Sequence, residues 1–321
     1  MIPPVVLAPL AGGPSTPELA AAVTNAGGLG IVAAGYLRPE VFAERLERAR
    51  ELTSGPLAVN VFVLDDVPVD EDAVAAYARE LEPEGELGVP RFDDDWLEEK
   101  TALAIAGGAS VLSTTFGPPP SWLVDAAHAG GVQVWATVAN LGDARKALDA
   151  GADALVAQGA EAGGHRAGFD DRDEHDVPLL DLLAQLRDLG VPVVAAGGII
   201  DRATAHAARA EGAAAVQAGT AFLLCPEAGT HPVHRDALSR PGETAVTRAF
   251  TGRRARGVVN RFMRDHPAAP SAYPYIHHLT APLRAAAREA GDPERVNLWA
   301  GTRFAAARAV PARDVVATLQ P

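Results

Sequence analysis

The stretch GAEAGGHRAGF, residues 159–169, sets a single histidine, His165, among glycines that follow directly on an apolar run. Ordering glycine costs conformational entropy, so a loop this rich in it implies a backbone that turns sharply or is closely approached by something else. An imidazole in such a place can donate, accept or move a proton near neutral pH. Two more glycine sites close later apolar runs: Gly197 and Gly198 in AAGGI, and Gly219 with Thr220 in QAGTAF. Backbone N–H groups with no side chain over them, beside a threonine hydroxyl, suit a phosphate, although tight turns would use the same residues.

Other reactive side chains point to less. No lysine stands in these loops to form a Schiff base, and no H-E-x-x-H occurs. The pairs His231/His234 and His277/His278 lack a third ligand at a credible spacing, so they read as surface or lid histidines, and no metal is expected. The acids of FDDRDEHD (169–176) lack the glycine and closing glutamate of a calcium loop and read as a solvated loop. DDVPVDED and FDDDWLEE read as solvated faces and helix starts. Cys225 is the one cysteine and lies in the apolar AFLLCPE, which implies a buried, inert thiol and excludes an internal disulfide.

Apolar runs that predict strands lie at 5–9, 29–34, 57–63, 110–116, 132–138, 154–158, 192–198 and 214–222. Ala-rich amphipathic stretches alternate with them, most ending in the glycine expected just past a helix C-terminus. Eight strands, each followed by a helix, predict an α/β fold of the (β/α)8 TIM-barrel type. A doubly wound sheet is the rival, and GGLGIVA (27–33) imitates its dinucleotide fingerprint. There, however, a helix pattern precedes and a strand follows, the reverse of what that motif requires. In a barrel, sites form at the C-terminal ends of strands and phosphates sit after strands seven and eight, where Gly197, Gly198, Gly219 and Thr220 fall. Residues 65–92 and 159–178 interrupt the alternation, and past Pro226 it stops. The expected division is a barrel over 1–225 and a smaller, mainly helical domain or lid over 226–321, whose final segment packs back on the barrel.

The chain has 321 residues and a formal net charge of −13, which argues against nucleic acid or an anionic membrane surface as partner. No 18-residue uncharged apolar run occurs, the N-terminus lacks a basic leader, and one cysteine fits a reducing compartment, so a cytoplasmic enzyme is expected. The oligomeric state stays open, a homo-oligomer included.

Taken in order, VLAPLAGGPSTPELAAAVTNAGGLGIVAAGY, VNVF, STTFG, VAQGAEAGGHRAGF, VPVVAAGGIIDRATAHAARAEGAAAVQAGTAFLLCPE and FTGRRARGVVNRF resemble the nitronate monooxygenases over essentially the whole chain. The resemblance implies a (β/α)8 barrel that binds FMN without a covalent link, and oxidation of propionate 3-nitronate or alkyl nitronates by O2 to carbonyl compounds and nitrite. It further implies that Ala8, Pro9 and Leu10, within the segment running to Gly12, line the flavin, with Leu10 where many relatives have methionine. Asn60 and Gln158 are implied as polar contacts, and Gly163 and Gly164 as a close backbone contact. Gly197, Gly198, Gln217, Ala218, Gly219 and Thr220 are implied at the phosphate end, and His165 as the active-site histidine. That histidine could hydrogen-bond a nitronate or take the α-proton of a neutral nitroalkane. Tyr273 and Tyr275 could line the pocket or pack. Two other readings stay open: an NAD(P)H-dependent flavin reductase of the same fold, of the enoyl-acyl-carrier-protein or quinone reductase type, and a flavin-free barrel enzyme acting on a phosphorylated metabolite.

Overall fold

The computed structural model describes residues 2–321. Its centre is an eight-stranded parallel sheet rolled into a barrel. In chain order the strands are β1 (Val5–Leu7), β2 (Gly30–Ala33), β3 (Leu57–Phe62), β4 (Val111–Thr115), β5 (Gln133–Val138) and β6 (Ala154–Gln158). After a two-residue strand, β7 (Gly164–His165), that belongs to a different sheet, β8 (Val193–Ala196) and β9 (Ala215–Ala218) complete the set. The two edges meet between β1 and β2, where Leu7 N donates to Leu29 O at 3.0 Å and Leu29 N to Val5 O at 2.9 Å.

Alternation along each strand explains the interior. Successive side chains of a strand point to opposite faces, so every second residue enters the barrel. Ala58, Val111, Trp135, Val156, Val194 and Ala215 form an apolar layer there, with Trp135 only 1% exposed. Two residues further along, toward the strand C-termini, the inward positions turn polar: Asn60, Ser113, Thr137, Gln158 and Gln217. The opposite faces, with Val59, Leu112, Val134 and Leu155, are buried under the helices.

The helices are α1 (Pro17–Asn25), α2 (Pro39–Leu52), α3 (Glu71–Leu81), α4 (Leu97–Ala106), α5 (Ser121–Ala129), α6 (Leu141–Asp149), α7 (Leu179–Leu186) and α8 (Arg202–Ala210). They are followed by α9 (Pro232–Leu238), α10 (Arg261–Asp265), α11 (Tyr275–Glu289) and α12 (Ala312–Leu319). Caps set several starts: Thr16, Asp70, Asn140 and Asp201 each accept from a backbone N–H of the first turn. None of these helices is long and apolar enough to cross a membrane.

The expected βα alternation holds for seven strands and fails at the eighth. The run 214–222 is strand only to Ala218 and then a 3-10 turn, Thr220–Phe222. The eighth helix position is filled from the far end of the chain: α12 packs beside α1 and α8 in the main core, and Arg209 donates to both Pro4 O (3.1 Å) and Leu319 O (2.6 Å).

A second core joins α3, from the 65–92 excursion, to Phe250, Phe262, Ile276, Leu279 and Leu283. Here the chain is not helical alone. Strands β10 (Thr244–Thr247) and β11 (Ala255–Val258) form a hairpin, and β11 pairs antiparallel with β7, Ala255 opposite His165 and Arg256 opposite Gly164.

Trp135→Ala empties the largest interior position of the barrel. The expected cost is about 3–5 kcal/mol, read as a lower denaturant midpoint at unchanged slope.

Candidate active site

The polar layer at the strand C-termini is the floor of a cavity of about 350 Å³. Every residue expected at the site lines it: Ala8, Pro9, Leu10, Asn60, Gln158, Gly163, Gly164, His165, Gly197, Gly198, Gln217, Ala218, Gly219 and Thr220. Its lining includes Arg288, Arg303, His231 and His234, and no Asp or Glu. In a chain of net charge −13 that is a pronounced segregation.

His165 owes its position to the loop's tethers. Besides the β7–β11 pairing, Arg166 N donates to Arg254 O at 2.8 Å. The Gln158 carboxamide clamps both sides of the histidine, donating to His165 O (3.0 Å) and accepting from Ala167 N (2.9 Å). Buried Arg166 donates to Gly159 O, Ala160 O and Ala162 O, and buried Arg253 to Arg166 O and Gly168 O. The acids read as a solvated loop also take part: Asp171 pairs with Arg248 at 3.1 Å and accepts from Arg254 N at 2.9 Å, and Asp176 pairs with Arg254 at 3.0 Å. Sequence alone could not show that these acids have arginine partners about 80 positions away.

His165 Nε2 lies 2.9 Å from Thr251 Oγ1, whose hydroxyl donates on to Arg253 O at 3.3 Å. That chain puts the imidazole proton on Nε2 and leaves Nδ1 with its lone pair. Nδ1 has no partner among the described residues and is not among their buried orphan atoms, so it opens to the cavity. Desolvation, reinforced by the Arg253, Arg284 and Arg166 guanidiniums, pulls the His165 pKa down to about 3. The ring is therefore a neutral imidazole throughout the physiological range.

Around it stand aromatic rings. Phe116, Tyr273 and Trp299 have centroids 5.7, 5.7 and 5.5 Å from the imidazole, and the Arg253 guanidinium sits 4.2 Å over Phe116. Phe116 and Tyr36, both on the cavity wall, hold φ of +85° and +66°. Bulky residues take such values only where the surroundings impose them. Tyr273 reaches the histidine without lining the cavity, and Tyr275 packs against the second core.

The other end of the cavity carries the glycines. The N–H groups of Gly197, Gly198 and Gly219 donate to no group among the described residues. Gly197 and Gly198 have φ of +114° and +67°. The Thr220 hydroxyl oxygen accepts from Gly301 N at 3.0 Å and keeps its own proton free. Gly163 has a different reason for being glycine: a Cβ there would stand 2.4 Å from Ala300 C and 2.5 Å from Gly301 N, so backbone packs on backbone.

Several wall residues escaped the sequence reading, notably Tyr36, Phe116, Arg288 and Trp299. Two of them lie in segments that had drawn notice as a whole: Tyr36 closes VLAPLAGG…IVAAGY and Phe116 lies in STTFG. The pair His231/His234, expected at the surface or in a lid, lines the cavity; His231 is exposed, whereas His234 is 8% exposed and pulled down to about 4 by burial.

A cavity at the C-terminal mouth of a parallel (β/α)8 barrel, holding arginines and no acids, stands where barrel enzymes build their active sites. The nitronate monooxygenase family profile matches residues 1–321, and the chain belongs to that family of oxidoreductases. A nitroalkane oxidase from Streptomyces ansochromogenes is 44% identical and superposes with a TM-score of 0.95, over 98% of this chain and 94% of that one. A nitronate monooxygenase of Pseudomonas aeruginosa is 38% identical, covering 98% of this chain and 95% of its own length. FabK from Thermotoga maritima shares the architecture at 27% identity, with a TM-score of 0.75 over 98% of this chain and 91% of that one.

Two neighbouring glycines separate two constraints. Gly163→Ala collides with backbone and is expected to lower the melting temperature by several degrees and displace the His165 loop. Gly164→Ala meets nothing within 4 Å and bears only the strain of φ +76°, about 1 kcal/mol. Thermal melts of the two variants, compared with wild type, check the order.

Proposed function

We propose that the protein binds FMN in this cavity and oxidises nitronates with O2, releasing carbonyl compounds and nitrite. The observation that carries this reading is the acid-free, cationic lining in an otherwise acidic protein, because both the flavin phosphate and the nitronate are anions.

The residues present fit the cofactor. The unpaired N–H groups of Gly197, Gly198 and Gly219, with the Thr220 hydroxyl, suit its phosphate. At the floor, Asn60 Nδ2 is held by Ser113 O (3.1 Å) and Thr115 Oγ1 (3.0 Å), which leaves Oδ1 as an acceptor for a ring N–H. No second nucleotide fingerprint accompanies the site, which favours FMN over FAD. The redox chemistry is what FMN supplies when bound, electrons passing from the nitronate carbon to dioxygen.

The chain's own residues bind and orient the substrate. A histidine whose pKa lies near 3 is too weak a base at neutral pH to take an α-proton from a neutral nitroalkane. This favours the hydrogen-bonding role of His165 and the preformed nitronate as substrate. Phe116, Trp299 and the Tyr36 ring keep bulk water from the reacting carbon. The lone buried cysteine, its thiol pushed up to about 12, is inert and suits a cytoplasmic setting.

Purified protein is expected to be yellow and to release FMN on denaturation. Mixed anaerobically, a nitronate is expected to bleach the flavin and NADPH is not; bleaching by NADPH alone would replace this reading with a reductase.

A second measurement concerns pH. A base with an ordinary histidine pKa would impose an acidic limb near pH 6.5, whereas His165, depressed toward 3, stays neutral as pH falls from 8 to 5. The kcat/KM for a nitronate is therefore expected to show no limb in that window that vanishes in His165→Asn.

A further inference from the structure

Tyr36 is held in an unusual way for a residue that sequence alone would pass over. Its φ of +66° is imposed from below by a buried ion pair. Tyr36 N donates to Asp95 Oδ1 at 2.9 Å, and Asp95 Oδ2 lies 2.8 Å from the Nζ of Lys100, which is fully buried. FDDDWLEE thus contains more than a solvated helix start: Asp95 is 5% exposed and faces inward. Burial lifts its carboxyl to about 6 and lowers the Lys100 ammonium, so each charge depends on the other. A buried pair of this cost, supporting one strained residue, points to a side chain whose placement matters.

The ring is fixed as firmly as the backbone. It stacks on His277, with centroids 4.3 Å apart and planes 6° from parallel, and meets Phe62 edge-on at 5.2 Å. Its hydroxyl accepts a hydrogen bond from the Tyr273 hydroxyl at 3.2 Å. Desolvation pushes the Tyr36 phenol up to about 12 and the Tyr273 phenol well above its ordinary value, so both keep their protons. The Tyr36 proton has no acceptor among the described residues, and the ring lines the cavity.

We propose that the Tyr36 hydroxyl donates this proton in a hydrogen bond to a nitro oxygen of the bound nitronate, as a specificity-determining contact. The inference rests on the functional reading above and adds the group that recognises the substrate's charge-bearing end. Tyr273, donating into the Tyr36 oxygen, makes that phenol a stronger donor. Asp95 and Lys100 are positioning residues that act through Tyr36. A neutral donor suits the chemistry, because a hydrogen bond to a charged acceptor is stronger than one between neutral groups and leaves the substrate's electrons in place.

The test uses Tyr36→Phe in the flavin-loaded protein, with two readouts. Nitrate, a planar N–O anion that does not react, is titrated calorimetrically, and ethyl nitronate is used for steady-state kinetics. The expected result is nitrate binding about tenfold weaker and KM about tenfold higher, with kcat changed much less, as for an interaction made equally in ground and transition states. Unchanged nitrate affinity and KM in a variant of normal flavin content would overturn the proposal. If Tyr36→Phe does not fold, Tyr273→Phe leaves residue 36 in place and decides the matter: weaker nitrate binding of about twofold or more supports the contact, and none refutes it. Wild-type protein that binds nitrate but turns over no nitronate would refute the functional reading alone, and the nitrate constants of the variants would still decide the role of Tyr36.

Discussion

Two residues of β-ladder organise this molecule. The pairing of Gly164 and His165 with Arg256 and Ala255 ties a loop from the barrel's sixth strand to a hairpin that the chain makes some 90 positions later. Without it the glycine-rich segment would have no reason to order, since its entropy is high and its own side chains are small. With it, the histidine acquires a fixed backbone, the turn of the hairpin carries Thr251 and Arg253 to its ring, and Trp299 joins them from a later segment that bridges to Gly257. The site is thus the seam between two cores rather than a property of either.

The electrostatics follow from how that seam is tied. Arg166 and Arg253 direct the hydrogen bonds they make to backbone carbonyls, which accept them without cancelling charge. The carboxylates that do pair with arginine, on Asp171 and Asp176, sit on the outer side of the loop. Positive charge therefore remains near the imidazole and adds to the desolvation that keeps His165 neutral. The excess of acids over bases is distributed elsewhere, mostly on exposed surface.

What could be read from the sequence depended on whether the cause was local. Strand alternation and strand-end glycines obey short-range rules, so the barrel and the lining contributed by Gly198 and Gly219 were legible, whereas Asn60 and Gln158 were implied only by the resemblance of VNVF and VAQG to the family. The pairing of Asp95 with Lys100 was not, because a short acidic run looks solvated until a lysine is found packed above it. Trp299 belongs to no motif and Tyr36 only closes the first-strand segment; both reach their place through contacts of long sequence separation. Of the pair expected at the surface or in a lid, His231 is exposed, whereas the burial of His234 was not legible, since the cavity arm it lines is completed by Arg288 and Asn297 of another segment. The two-residue β7 is too short for any periodicity to signal. Gly163 was legible as a position needing glycine, although its partner proves to be the backbone at Ala300.

The helix α12 has a consequence for how the molecule comes into being. It occupies the gap between α1 and α8, where Arg209 grips Leu319 and Pro4 and Gln320 reaches Ala26 at 3.4 Å. On a ribosome, all eight barrel strands emerge well before this helix does, and for that interval the flanks of α1 and α8 that it covers are left open. The nascent barrel must wait, open along one side, for the last segment to arrive, which makes this seam the natural point for chaperone engagement or misassembly during synthesis.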